Sequence, residues 1–283
     1  MHGRRGSKES LKVNAVIFDW SGTTVDYGCM APAIAFENIF KNCGIEISIK
    51  QLRSFMGLPK RDHILRMLQS DDVINKWMEK FNRKPDTRDL DNLYNAFEPQ
   101  LFSILEKYSK PIPGVSSLVK DLKYAGLKIG STTGYTKEMM KIVLKEAKKY
   151  SYEPDCIVTP EDAGGGRPMP WMCYLNLIEL KVYPVSTVVK VGDTISDIRE
   201  GINAGMWSIG VIKGSNELGL SEDEIIDIDK KKLKTLMNEV RSNYIANGAH
   251  YVIEEINELK GLIEIINNRL SKRKGNDYYG RFN

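Results

Sequence analysis

Six polar residues, each at or just past the end of an apolar run, could together manage a phosphoryl group. Asp19 closes the run Ala15–Phe18, Ser131 and Thr132 close the run 127–132, and Arg167 lies in the Gly-rich loop 161–170. Asp193 follows the run 187–192, with Asp197 four residues further on. Two carboxylates from separate strands can share a magnesium ion, while a hydroxyl and a guanidinium hold a phosphoryl group. A carboxylate can also be the nucleophile and pass through an acyl phosphate. Taken alone, Asp19 reads equally well as the cap of a helix or turn. The set of six is what points to phosphoryl chemistry.

Those residues need strands that deliver them to one edge. Apolar runs at 15–18, 127–132, 156–159, 187–192, 207–212 and 249–253 read as strands. Helical patterns at 115–125, 136–150, 168–180, 195–204, 230–247 and 256–270 alternate with them. Such alternation predicts an α/β fold with a doubly wound parallel sheet, in which ligands collect at the carboxyl ends of the strands. Between the first two strands only helical patterns occur, at 31–42, 49–56, 60–68, 73–81 and 87–105, and Pro99 is expected to kink or divide the last. The predicted organisation is therefore an α/β core of residues 12–27 and 105–268, an all-helical cap at 28–104 inserted after the first strand, and flexible basic tails at 1–11 and 269–283.

Composition narrows the function classes. Hydrophobic content of 42% and charged content of 28% suit a globular protein of 283 residues. The net charge of +4 lies in the tails, +3 over residues 1–12 and +4 over 269–283, which leaves −3 for the body and argues against a nucleic-acid partner. No stretch is apolar for long enough to span a bilayer, and the N-terminus lacks the apolar run of a secretory signal. Cys29, Cys43, Cys156 and Cys173 are widely spaced without a Cys-x-x-Cys pair, so free thiols and a cytoplasmic location are expected.

The stretch Asp19-Trp20-Ser21-Gly22-Thr23 resembles the D-x-D-x-T nucleophile motif of the haloacid dehalogenase superfamily, except that Ser21 replaces the second Asp. In the superfamily's phosphatases that second Asp protonates a leaving alkoxide, which a serine cannot do. The segments FDWSGTTVDYG (18–28), MGLPKRDH (56–63), IGSTTGYT (129–136), GRPMPWMCY (166–174) and KVGDTISDIREGINAGMW (190–207) together resemble the phosphonoacetaldehyde hydrolase family. The likeness runs from about Val13 to Ile265 and covers cap and core alike. The family usually has Ala where this chain has Ser21.

The resemblance implies magnesium-dependent hydrolysis of phosphonoacetaldehyde to acetaldehyde and phosphate, with a homodimer formed through the cap. Lys60 would condense with the substrate aldehyde, so that cleavage of the carbon–phosphorus bond leaves an enamine rather than a bare carbanion. Asp19 would take the phosphoryl group, with Arg167 and magnesium holding its charge. The implied metal residues are Asp19, Asp193, Asp197 and the main-chain carbonyl of Ser21. His63 and Thr133 join the catalytic set, and Cys29, Met56, Tyr135, Ser131 and Thr132 line the substrate. A phosphate-ester phosphatase of the same superfamily is the nearest rival, opposed by Ser21. A non-catalytic phosphometabolite-binding protein is the other, opposed by the intact Asp19, Lys60, Arg167 and Asp193. Because only the main chain at position 21 has a role in this scheme, Ser21→Ala should leave the rate of phosphate release within a few-fold. A loss of about a thousandfold, ~4 kcal/mol in the barrier, would show that the hydroxyl takes part.

Overall fold

The computed structural model describes residues 11–56 and 58–272. β1 (Ala15–Phe18) consists of four apolar side chains, all fully buried, as a strand covered on both faces requires. Five helices follow it: α1 (Met30–Asn42), α2 (Ile49–Arg53), α3 (Lys60–Leu68), α4 (Asp71–Phe81) and α5 (Thr87–Leu105). The alternation then resumes with α6 (Val115–Tyr124), β2 (Lys128–Thr132), α7 (Lys137–Lys148), β3 (Cys156–Val158) and α8 (Pro160–Ala163). It continues through α9 (Trp171–Leu180), β4 (Val188–Gly192), α10 (Ile195–Asn203), β5 (Trp207–Val211) and α11 (Glu222–Asp227). α12 (Lys230–Ala246), β6 (Tyr251–Ile253) and α13 (Leu259–Lys272) complete the described chain.

The strands form one sheet in the order β3-β2-β1-β4-β5-β6, and every pairing is parallel. This is the doubly wound α/β architecture expected from the alternation. β1 sits centrally, with Phe18 in register with Ser131 on one side and Val191 on the other. Asp19, Thr132 and Gly192 therefore leave the sheet at one edge, where the strand order reverses and a crevice opens.

The helical insert has its own apolar seam. α5 buries Leu90, Leu93, Phe97, Leu101 and Leu105, a three- and four-residue spacing that keeps one face inward. Phe36 of α1 stacks on Phe97 with ring centres 4.4 Å apart. Of the two outcomes expected at Pro99, division does not occur, and α5 runs unbroken through it. The proline lies on the exposed face, where water can satisfy the carbonyl that loses its partner. The expected C-terminal tail also begins too early, because α13 extends to Lys272 and buries Leu270. The remainder of the two predicted tails, 1–10 and 273–283, lies outside the described residues. None of the described helices is long and apolar enough to cross a membrane.

The turn after β1 is tightly specified. Trp20 O accepts the amides of Thr23, Thr24 and Val25, and Thr24 Oγ1 donates to Asp19 O at 2.9 Å. Gly22 has φ +86°, and a Cβ there would stand 2.1 Å from Asp193 Oδ2. Gly22→Ala would thus be strained twice, by its backbone and by a carboxylate that must move. It should cost about 1–3 kcal/mol from the backbone alone, seen as a lower melting temperature, and should also disturb Asp193. An unchanged melting curve would contradict this account of the turn.

Candidate active site

Asp19 projects from the end of β1 into a cavity lined also by Ser21, Cys29, Lys60, Thr133, Gly134, Tyr135, Arg167 and Thr194. Residues 19, 21 and 29 come from the β1 turn and the entry to α1. Thr133, Gly134 and Tyr135 follow β2, Arg167 precedes α9, and Thr194 follows β4. Lys60 comes from deeper in the helical insert, at the first position of α3.

Arg167 is buried and forks across the site. Its Nη2 donates to Asp19 Oδ1 at 2.5 Å and to Thr132 Oγ1 at 2.9 Å, while Nε donates to Glu200 Oε2 at 3.0 Å. Asp197 Oδ1 lies 3.1 Å from Arg167 Nη2 and 2.7 Å from Lys190 Nζ, and its Oδ2 accepts from Thr194 Oγ1 at 2.5 Å. Asp193 is held by Thr23 Oγ1 at 3.2 Å and by the main-chain amide of Asn216 at 2.8 Å.

Four buried carboxylates (Asp19, Asp193, Asp197 and Glu200) thus face two buried cations, Arg167 and Lys190. With all four ionised and Lys60 neutral, the surplus is two negative charges. Burial pushes the carboxyls of Asp19 and Asp193 above the usual carboxylate range. Asp197 is instead held below it, because Arg167 and Lys190 outweigh the cost of its burial. Oxygen atoms of Asp19, Asp193 and Asp197 lie within 4.8 Å of one another. A hard divalent cation suits both the donors and the missing charge. Asp197 alone of the three meets two cations through one oxygen and a hydroxyl through the other, so it is the least free.

The other expected residues divide. Thr133 lines the cavity, and its Oγ1 accepts the amide of Tyr135 at 3.0 Å. Tyr135 is buried with its ring 4.9 Å from Lys60 Nζ. The hydroxyl of Ser21 is committed elsewhere, donating to Asp26 Oδ2 at 2.8 Å with Cys29 Sγ at 3.2 Å. Burial, with Asp193 and Asp26 adding, pushes the Cys29 thiol well above its ordinary value, which rules out a thiolate nucleophile. His63 is buried one turn along α3 from Lys60, stacked on Phe36 at 3.9 Å. Burial first, and the Lys60 charge second, hold its imidazole well below its ordinary value. Met56 is buried, and neither it nor His63 is among the side chains facing Asp19. Ser131 does not reach the cavity. Its hydroxyl donates to Cys156 O at 3.3 Å, and Asn176 of α9 bonds both its amide and its carbonyl. Successive residues of a strand face opposite ways, so Thr132 turns toward Arg167 and Glu200 and Ser131 does not.

Lys190, Glu200, Thr23, Thr194 and Asn216 were not anticipated. Lys190 had a signal, a charge inside the otherwise apolar run VVKVG, which only a buried ion pair can satisfy. Glu200 had a weaker one, its place three residues after Asp197 on one face of α10.

Residues 16–211 match the haloacid dehalogenase-like hydrolase family. The parallel sheet with a nucleophile-type carboxylate at the end of its central strand and a second carboxylate pair one strand away define that class, and the chain belongs to it. The phosphonoacetaldehyde hydrolase of Bacillus cytotoxicus is 52% identical over 256 residues, spanning 90% of this chain and 97% of that protein. The bifunctional phosphonoacetaldehyde hydrolase/aminoethylphosphonate transaminase of Clostridioides difficile is 51% identical over 92% of this chain and 41% of its own length. Among solved structures, a phosphonoacetaldehyde hydrolase like protein from Oleispira antarctica superposes with a TM-score of 0.91 at 34% identity, covering 96% of this chain and 99% of that one. Within the class, this chain is a member of the phosphonoacetaldehyde hydrolase family.

The charge surplus gives a test that needs no turnover. Asp193→Asn removes one of the crowded carboxylates, so in metal-free buffer it should melt no lower than the parent chain. Magnesium should stabilise the parent by about 2.7 kcal/mol at a hundredfold excess over the dissociation constant, seen as a higher melting temperature, and leave the variant unmoved. Equal stabilisation of both would end the assignment of Asp193 to the metal.

Proposed function

We propose that this protein hydrolyses the carbon–phosphorus bond of phosphonoacetaldehyde, giving acetaldehyde and phosphate, through a Lys60 imine and an Asp19 aspartyl phosphate. The observation that carries the proposal is a buried lysine amine lining the same cavity as a nucleophile-type carboxylate. Burial lowers the Lys60 pKa below the ordinary lysine value, which favours the neutral amine that attacks an aldehyde. The amine adds to the carbonyl carbon and the carbinolamine loses water, leaving a protonated imine beside the carbon that bears phosphorus. Asp19 then attacks phosphorus, and the electrons of the breaking bond flow into the imine to give an enamine. Protonation of the enamine carbon and hydrolysis of the imine release acetaldehyde and free Lys60. Water cleaves the aspartyl phosphate and regenerates Asp19.

In this reading Arg167, already bonded to Asp19, orients the nucleophile and takes the phosphoryl oxygens with Thr132 and Thr133 beside it. His63 accepts and returns protons at the carbinolamine, and its low pKa keeps it a neutral acceptor. Tyr135, Cys29 and Met56 shape the aldehyde end. Asp19, Asp193 and Asp197, with the main-chain carbonyl of Ser21, are the groups that would hold a magnesium ion, which when bound would supply positive charge against the phosphonate. Residues 28–104 serve as a cap over the core 12–27 and 105–268, excluding water during the imine step. The homodimer and the cytoplasmic location belong to the same reading and rest on the family resemblance and on composition.

The imine is the step to test. Borohydride added with phosphonoacetaldehyde or acetaldehyde should reduce it to a secondary amine, adding an ethyl group to Lys60 and abolishing activity irreversibly. Borohydride without an aldehyde should do neither. Lys60→Arg keeps the charge but stays protonated, so it should lose cleavage and escape trapping at that position. Peptide mapping that placed the label on another lysine, or an active Lys60→Arg enzyme, would overturn the mechanism. An ester phosphatase predicts no trapping at all.

A further inference from the structure

Arg53, the last residue of α2, joins the helical insert to the loop that holds Asp193. Its Nη1 donates to Gly28 O at 2.7 Å, to Asn216 Oδ1 at 3.2 Å and to Asn216 O at 3.4 Å. Asn216 Nδ2 returns a bond to Arg53 O at 3.1 Å. Asn216 is buried, and its own amide is the group that donates to Asp193 Oδ2 at 2.8 Å. The guanidinium thus spans the entry to the insert at Gly28 and the loop after β5 at once.

Gly28 is fitted to this arrangement. It has φ +82°, its amide donates to Gly214 O at 2.7 Å, and a Cβ on it would stand 2.6 Å from Leu220 O. A second close approach lies beside the reacting groups. A Cβ on Gly166 would stand 2.6 Å from Pro59 Cγ, so the residue before Arg167 is pressed against the residue before Lys60. Insert and core are therefore in contact at two separate points, and Lys60 is buried between them.

We propose that Arg53 is a positioning residue that latches the helical insert shut, and that its clasp on Asn216 couples closure to the seating of Asp193. An arginine suits the task because Nη1 carries the bonds to Gly28 and Asn216 while Nη2 reaches Met30 Sδ at 3.4 Å, so both arms of the planar group fix its direction. Coupling between the two ends is reciprocal, so whatever binds Asp193 favours the closed insert to the same extent. The inference rests on Lys60 and Asp193 as read above.

The test uses the reactivity of Lys60 in the full chain and no turnover, so its failure is separate from failure of carbon–phosphorus cleavage. Trinitrobenzenesulfonate labelling, mapped by peptide mass spectrometry, reports how open the insert is. In Arg53→Ala, Lys60 should be labelled about tenfold faster, within the usual range for coupled sites, while surface lysines such as Lys141 and Lys260 keep their rates. Asn216→Ala retains the amide to Asp193 but loses the clasp, and should accelerate Lys60 similarly. The double variant should be no faster than either single one, because both remove one interaction. Arg53→Lys should fall between, and serves if Arg53→Ala does not fold. Magnesium should slow Lys60 labelling in the parent chain and lose that effect in each clasp variant. Unchanged Lys60 rates in folded variants, acceleration of all lysines together, additive single effects, or undiminished protection by magnesium would each overturn the proposal.

Discussion

The structure turns on a buried charge problem. Asp19, Asp193, Asp197 and Glu200 are gathered where the parallel strands end, and the buried cations paired with three of them are Arg167 and Lys190. Taking ions out of water costs several kcal/mol each, which their mutual attraction repays only with good geometry and full hydrogen bonding. That requirement explains the companions of the set. Thr194 and Thr132 supply hydroxyl donors to Asp197 and Glu200, and Asn216 and Thr23 supply donors to Asp193. It also explains Gly22 and Gly192, where a side chain would strike Asp193 and Asp197. The set stays short of positive charge even so. A site of this kind gives up stability in order to hold a cation and a phosphoryl group.

The same environment separates two buried lysines. Lys190 and Lys60 both lose water, which by itself lowers a lysine's pKa. At Lys190 the carboxylates of Asp197 and Glu200 outweigh that loss, so the ammonium is held above its ordinary value. At Lys60 no salt bridge compensates, and burial prevails despite the fields of Cys29 and Asp19. One lysine is thereby a fixed cation of the core and the other a candidate nucleophile. Charge sign and residue type are identical in the two cases, and only the distance to carboxylates assigns the roles.

That distinction marks how far the sequence could be read. Asp19, Arg167, Asp193 and Asp197 were legible because strand ends in a parallel sheet converge whatever the loops do. The sheet itself was legible from the alternation of apolar runs and helical patterns. Lys60 was not, since a lysine opening a helix is ordinarily solvated, and only the resemblance singled it out. Ser131 was misplaced because a one-residue difference decides whether a side chain belongs to the sheet or to the crevice. Pro99 did not end α5, since a proline can kink a helix without dividing it where its freed carbonyl reaches water. The bond between Arg53 and Asn216 was invisible, because the two are 163 residues apart and polar residues of an ordinary kind.

Ser21 is the point at which sequence and packing meet most closely. A second Asp at this position would supply the acid that ester phosphatases use. Here the place beside it is already taken by Asp26, whose Oδ2 lies 2.8 Å from Ser21 Oγ and whose carboxylate accepts the first amides of α1 from Met30 and Ala31. Burial has already raised the Asp26 pKa to about 6. A carboxylate at position 21 would stand against that buried carboxylate and against the Cys29 sulfur, in a region short of positive charge. Serine donates to Asp26 instead of repelling it. Any uncharged side chain at position 21 therefore both removes the phosphatase acid and leaves Asp26 to accept the first amides of α1, which is why serine and alanine are interchangeable there while aspartate is not.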